Sequence, residues 1–141
     1  MNSESSIWRK ILLVDSVILV VTGALFTTLP FLDEKFVLAM YNMVYGASLG
    51  VNDQSLQYLN MILGVSGAVM IGWGATITFL SYYMLKNDDI EAIWTAVTIG
   101  LVVWFIEDVF VSVMFGAIYN VVFNVGFLLL FLIPIIGRKY L

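Results

Sequence analysis

The sequence predicts an all-α integral membrane protein, a four-helix bundle with a short interfacial helix between its first two spans. Three observations support this fold class. Of the 141 residues, 62% are hydrophobic and 11% are charged, whereas a soluble domain carries roughly 25% charged residues. Four apolar stretches have about the 20 residues that cross a bilayer. Nearly all basic residues flank the ends of these stretches.

The four predicted spans form one transmembrane domain that covers residues 1–141. Span one is predicted to stop at Pro30, because proline lacks the helical N–H and clashes with the preceding turn. Spans three and four are separated near Gly116, because the apolar run 92–137 is too long to cross once and glycine adopts the positive φ of a tight turn. The predicted spans are residues 11–29, 58–85, 92–111 and 117–136.

The long connection between spans one and two contains the short helix. Asp33 is predicted as its N-cap, because an aspartate side chain accepts hydrogen bonds from the first turn. The apolar segment Phe36 to Tyr45 is too short to span and is predicted to lie at the membrane interface. Residues 46–53 are predicted to form a flexible return to span two.

The basic residues predict the orientation of the chain. Lys35 lies at one face of the membrane, and the other five lie at the opposite face. Because lysine and arginine favour the cytoplasmic side, this bias predicts cytoplasmic N- and C-termini. The five residues are Arg9, Lys10, Lys86, Arg138 and Lys139.

Charge and composition exclude several function classes. The formal net charge is −4, and the chain has neither cysteine nor histidine. A nucleic-acid partner is not expected, because phosphate binding needs clustered lysine and arginine. The missing residue types exclude disulfides, thiolate or imidazole metal sites, a cysteine nucleophile and a Ser-His-Asp triad. We therefore expect no cofactor and no metal, and the composition favours a protein that is not an enzyme.

Asp15 is an acid within the first span, and it has two interpretations. Charged residues inside a span cost about 2.5–3.5 kcal/mol each on insertion scales, so they are usually buried in the bundle or functional. In the first interpretation Asp15 carries a proton or a cation. In the second it forms an ion pair with Arg9, Lys86 or Arg138 at the inner end of the bundle.

A polar row at spacing four crosses the predicted turn between spans three and four. If the chain turns at Gly116, its members on the two spans face one another, and amide groups can donate hydrogen bonds to the carboxylate of Asp108. The row predicts either a pocket for an ion or a lipid head group, or a clamp that holds the hairpin. Its members are Asp108, Ser112, Gly116, Asn120 and Asn124. The candidate ligand-binding residues are Glu107, Asp108, Ser112, Asn120, Asn124 and Asn60.

Small residues at spacing four mark span two. Gly64, Ala68, Gly72 and Thr76 form a row of the kind that lets two helices approach closely. We therefore predict that Gly64, Ala68 and Gly72 pack against another helix, either in the same chain or in a second copy.

The last third of the chain resembles the small BphX-like membrane proteins. The resemblance rests on Trp104 to Asp108, on the polar row that follows, and on Phe131 to Pro134. Tyr58 to Asn60, before the glycine-rich span, resembles the second helix of those proteins. The resemblance implies four spans and no defined activity.

The position of Asp15 in the first span gives the chain a second resemblance, to the small multidrug exporters. Small multidrug exporters also have four short spans and one acid in the first helix, and they work as dimers that exchange protons for cationic drugs. This chain differs from them in having aspartate instead of glutamate, a long loop after span one and further acids in span three. The resemblance implies that Asp15 is a proton carrier.

Three functional hypotheses follow. The first is a small membrane protein without catalysis that binds a lipid or a membrane partner through the outer polar residues. The second is a dimeric proton-coupled small-molecule transporter with Asp15 as its carrier. The third is a lipid-modifying enzyme, which needs Glu107 in a dry pocket. The expected partners are membrane lipids and either a second copy or a larger membrane complex.

Overall fold

The computed structural model describes residues 3–45, 52–87 and 90–138, which form five α-helices. Four of them are long and apolar enough to cross a membrane. The short one lies between the first two spans, so the predicted four-span all-α fold is confirmed for this part of the chain. The helices are α1 (Ser3–Leu32), α2 (Glu34–Tyr45), α3 (Asp53–Lys86), α4 (Glu91–Met114) and α5 (Ile118–Gly137).

Three predicted boundaries are wrong. α1 begins at Ser3, well before the predicted start of span one at residue 11. α1 continues through Pro30 to Leu32, because a proline in the last turn removes one hydrogen bond and leaves the preceding helix intact. α3 begins at Asp53, after Asn52 caps it by accepting a 2.8 Å hydrogen bond from the Ser55 N–H. Of the predicted return, residues 46–51 lie outside the described residues, and the last two begin α3.

The cap of α2 lies where the sequence predicts it. The backbone N–H of Lys35 donates to Asp33 Oδ1 at 2.9 Å. Val37 is fully buried, and the ring of Phe36 meets the ring of Phe26 edge to face, with centroids 6.4 Å apart. These contacts hold α2 across the end of α1, where it also touches α3 and α5.

The turn between α4 and α5 also lies where it is predicted. Gly116 has a φ of 72°, which favours glycine because a side chain there is strained. The N–H of Ala117 donates to the carbonyl of Ser112 at 2.8 Å, and that of Gly116 donates to the carbonyl of Val113 at 3.1 Å. This pair of bonds is a Schellman motif, which satisfies the last carbonyls of α4 and folds α5 back along it.

α1 and α3 form an antiparallel pair whose backbones touch. A Cβ on Gly23 would lie 2.6 Å from the backbone oxygen of Gly67, and a Cβ on Gly67 would lie 2.5 Å from that of Gly23. Gly74 is enclosed in the same way by Val20 and by the backbone of Ser16. Only glycine fits such an approach without moving one of the helices.

The predicted packing row is not the one that makes this contact. A Cβ on Gly64 or Gly72 would meet no heavy atom of the described chain within 4 Å, and Ala68 is exposed. The prediction is therefore wrong as far as packing within one chain is concerned. The buried small residues of α3 recur at spacing seven, at Gly67, Gly74 and Ser81. Seven residues make almost two full turns, so residues at this spacing stay on one face of the helix. Residues at a spacing of four move gradually around the helix.

The hairpin of α4 and α5 packs on this pair through aromatic side chains. The ring of Trp73 on α3 lies 5.7 Å from that of Trp104 on α4 and 6.0 Å from that of Phe131 on α5, between centroids. An apolar core continues from these rings toward the basic end of the bundle. Its fully or nearly buried members include Leu12, Leu19, Ile77, Met84, Trp94, Val97, Leu101 and Ile135.

The close approach of α1 and α3 makes a testable prediction. Gly67→Ala places a methyl group against backbone atoms of α1, so we expect it to lower the free energy of unfolding by about 1–3 kcal/mol. Gly126→Ala adds the same methyl group at an exposed position of α5, where it would meet no heavy atom of the described chain within 4 Å, and we expect no loss. Thermal unfolding of both variants in one detergent measures the difference, and equal melting temperatures contradict the assigned contact.

Candidate functional site

The polar row forms one hydrogen-bonded cluster beside the α4–α5 turn. Ser112 Oγ donates to Asp108 Oδ1 at 3.1 Å, and Asn120 Nδ2 donates to the same oxygen at 2.9 Å. Asn124 Nδ2 also donates to it, and Asn120 Nδ2 lies 2.9 Å from Ser112 Oγ. The structure thus brings together the four residues that the spacing predicts. We call them the outer cluster.

The geometry of the outer cluster favours a clamp between α4 and α5. Three donors from two helices converge on a single carboxylate oxygen, and both Ser112 and Asn124 are buried. Donors aimed at Asp108 are not available to a second anionic group. The cluster therefore offsets the burial cost of its own acid, and its arrangement does not favour a ligand pocket.

The two remaining outer candidates do not join this cluster. Glu107 is exposed on the surface of α4. Asn60 is half-buried, and its enclosed Oδ1 atom has no hydrogen-bond partner among the described residues. A lipid-modifying enzyme that uses Glu107 as an acid or a base needs this carboxyl group in a dry pocket, and an exposed side chain does not provide one.

Asp15 lies at the other end of the bundle, on the core-facing side of α1. Its side chain is only 4% exposed, and Oδ2 is enclosed without a hydrogen-bond partner among the described residues. Leu12 and Leu19 share its face of the helix, and both belong to the apolar core. The acid therefore points into apolar surroundings, unlike Asp108.

Arg9 is buried and lies on α1 before Asp15, but its side chain is directed at α3. Its Nη1 atom donates to the backbone oxygen of Met84 and, at 3.0 Å, to that of Asn87. A cation favours the last carbonyls of a helix, where the helix dipole is negative. Arg9 thus caps the C-terminal end of α3.

The other predicted cationic partners are also engaged elsewhere. Arg138 forms a two-pronged ion pair with Glu91, and the Lys86 ammonium lies 4.2 Å from the ring centroid of Tyr82. No ion pair to Asp15 is formed within residues 3–45, 52–87 and 90–138. The interpretation of Asp15 as half of an ion pair is therefore wrong for these partners.

Ser81 is a second polar group that points into the same core without a partner. It is 0% exposed, its Oγ atom has no hydrogen bond in the described chain, and Ile77 and Met84 on its face of α3 are core residues. Seven threonines in the spanning helices donate to a carbonyl one turn earlier, which is the usual way to satisfy a hydroxyl in a helix. Ser81 departs from that pattern.

The register of α1 and α3 places Asp15 and Ser81 in the same section of the bundle. On one side of them Thr78 Oγ1 donates to Ser16 Oγ at 2.9 Å, and on the other side Arg9 reaches the end of α3. Both residues lie between these two contacts and face the core. We call Asp15, Ser16, Thr78 and Ser81 the inner site.

Sequence reasoning found Asp15 in the inner site but missed its three hydroxyl residues. A signal was present, because Ser81 continues the spacing of seven that starts at Gly67 and Gly74. Serine in such a row is small enough to pack and still carries a hydroxyl group.

No protein-family model, curated protein or solved structure matches the chain. The resemblance to BphX-like proteins therefore stays a prediction.

The clamp makes a testable prediction. Asp108→Ala removes the acceptor of three hydrogen bonds, so the buried amide of Asn124 and the half-buried amide of Asn120 lose this acceptor. Interhelical hydrogen bonds in membranes contribute about 0.6 kcal/mol on average and up to about 1.7 kcal/mol, so we expect a loss of about 1–3 kcal/mol. Glu107→Ala, one residue away and exposed, is the matched control. Thermal unfolding in detergent that does not distinguish the two variants contradicts the clamp.

Proposed function

We propose that this multi-pass membrane protein binds and releases a proton at Asp15, as the carrier of a dimeric proton-coupled transporter for small molecules. The single observation that carries the proposal is the enclosed, unpartnered Oδ2 atom of Asp15 inside an apolar core. Its basic neighbours contact other groups, so packing alone does not account for an acid at this place.

The contrast with Asp108 supports the proposal. Both acids lie in spanning helices, where a charge costs about 2.5–3.5 kcal/mol on insertion scales. Asp108 is satisfied by three side-chain donors, as expected of a structural acid. Asp15 lacks such donors at Oδ2, and a carboxyl group in that situation lowers its free energy by taking up a proton or a cation.

The hydroxyl groups of the inner site support the same function. A hydroxyl both donates and accepts, so it pairs with either form of a carboxyl group. The Ser81 hydroxyl has no partner among the described residues and lies in the same section of the core as Asp15, whereas Ser16 and Thr78 are already linked to each other. A core that holds an acid and an unpartnered hydroxyl group is suited to the gain and loss of a proton.

A dimer is part of the proposal, because four short helices alone make a poor alternating-access pathway. The open face of α3 around Gly64, Ala68 and Gly72 supports it, since a Cβ at Gly64 or Gly72 would meet nothing in the described chain within 4 Å and Ala68 is exposed. Small residues favour close helix contacts in membranes, so this face suits a second copy.

The carrier is tested by Asp15→Asn. Infrared difference spectra between acidic and alkaline samples of the purified protein should contain a protonated-carboxyl band that exchanges slowly in heavy water and is absent from the variant. In proteoliposomes with a pH gradient, uptake of a lipophilic cation such as tetraphenylphosphonium should fall to background. Asp33→Asn, an exposed cap of α2, is the control and should retain both signals. A wild-type protein without the band, or a variant that keeps it, contradicts the proposal.

The dimer is tested by cross-linking, which is simple because the chain has no native cysteine. Gly72→Cys lies on the open face of α3, and Val122→Cys lies on the exposed surface of α5. We expect disulfide-linked dimers from the first variant in native membranes and at least several-fold less from the second. A protein that stays monomeric under all conditions is incompatible with the proposed transporter.

A further inference from the structure

α1 and α3 leave an apolar groove on the lipid-facing side of their contact. Its volume is about 490 Å³, within the range of roughly 300–1,000 Å³ in which pockets hold drug-sized ligands. Thr78 and Tyr82 are the residues with a hydroxyl group in its lining, and the Thr78 hydroxyl is already bonded to Ser16 and the Gly74 carbonyl. The rest of the lining is apolar, so the groove offers mainly contacts to hydrocarbon. Its other walls are Leu13, Val17 and Val20 on α1 and Ala75, Phe79 and Tyr82 on α3.

Both walls of the groove lead to a lysine at the same end. Lys86 follows Tyr82 by one helical turn, and its ammonium lies 4.2 Å from the centroid of that ring. Lys10 precedes Leu13 by about one turn on the antiparallel wall, and both lysines are exposed. The apolar groove suits the acyl chain of a phospholipid, and the positive charge at its end suits an anionic head group.

We propose that this groove binds one acyl chain of an anionic phospholipid, whose phosphate lies between Lys10 and Lys86. The two arginines at this end are turned to protein atoms, Arg9 to the Met84 carbonyl and Arg138 to Glu91, which leaves the lysines for the head group. Each basic residue near a membrane surface contributes about 1 kcal/mol toward anionic lipid, or about a five-fold preference. The proposal does not depend on the role of Asp15.

The charge part is tested by native mass spectrometry of the full chain released from nanodiscs. These contain equal amounts of phosphatidylglycerol and phosphatidylcholine with the same acyl chains. We expect the wild type to retain phosphatidylglycerol about ten-fold or more over phosphatidylcholine, and Lys10→Gln with Lys86→Gln to reduce the ratio toward one. Lys35→Gln, at the other end of the bundle, should leave the ratio unchanged.

Two acids follow Lys86 in the sequence, Asp88 and Asp89, and they lie outside the described residues. Because carboxylates repel an anionic phosphate and these two follow Lys86 within three residues in the sequence, the double variant with asparagine at both positions should raise the phosphatidylglycerol ratio. A lower ratio in this variant overturns the proposal, as does a wild type that shows no preference or a lysine pair whose loss changes nothing.

The acyl-chain part is tested by filling the groove. Ala75→Leu narrows it, and Ala96→Leu makes the same change on the exposed surface of α4, outside the groove. We expect the first variant to lose most retained lipid of both kinds, at a melting temperature like that of the second. Equal retention by the two variants overturns the proposal. So does an Ala75→Leu protein that keeps its lipid and changes only its oligomeric state, because the groove is then an interface between copies.

Discussion

The structure depends on the close backbone approach of α1 and α3 at Gly23 and Gly67. Helices in lipid gain nothing from hydrophobic burial against each other, so packing and interhelical hydrogen bonds hold them. Because a Cβ at either glycine would overlap a backbone oxygen of the other helix, the contact admits one register. That register sets Ser16 beside Thr78 and brings Arg9 to the last carbonyls of α3. It also turns Asp15 and Ser81 toward the same core.

The two membrane acids show how one fold treats the same side chain in two ways. Asp108 lies at a turn that folds two polar helix faces together, and three donors meet on its Oδ1 atom. Asp15 shares its face of α1 with Leu12 and Leu19, and its Oδ2 atom has no partner among the described residues. The first arrangement stabilises the α4–α5 hairpin. The second leaves a buried carboxyl oxygen that is able to take up a proton, which is why the proposed function is assigned to the basic end of the bundle.

Much of the fold follows from the sequence, because membrane spans are set by length and apolarity and the α4–α5 turn by a glycine. The outer cluster follows as well, since a spacing of four and a turn at Gly116 define which side chains meet. The sequence does not, however, determine which glycines pack against another helix. Span two has two rows of small residues, and the row at spacing four, Gly64 to Gly72, faces outward. The choice depends on where α1 lies along α3, and no local pattern contains that information. For the same reason the sequence does not show that Arg9, which lies close to Asp15 in the sequence, contacts the end of α3 instead of Asp15.

By itself, the sequence determined the number of spans, the cap at Asp33, the turn at Gly116 and the meeting of Asp108 with Asn120 and Asn124. These features rest on contacts between residues that are close along the chain, and on the requirement that helices satisfy their own hydrogen bonds in lipid. Only the tertiary structure decided that Arg9 caps α3, that Gly67 and Gly74 receive α1, and that Asp15 and Ser81 both point into the core. Those features depend on the register of two helices separated by a long connection, and that register is set by the close contacts at Gly23, Gly67 and Gly74.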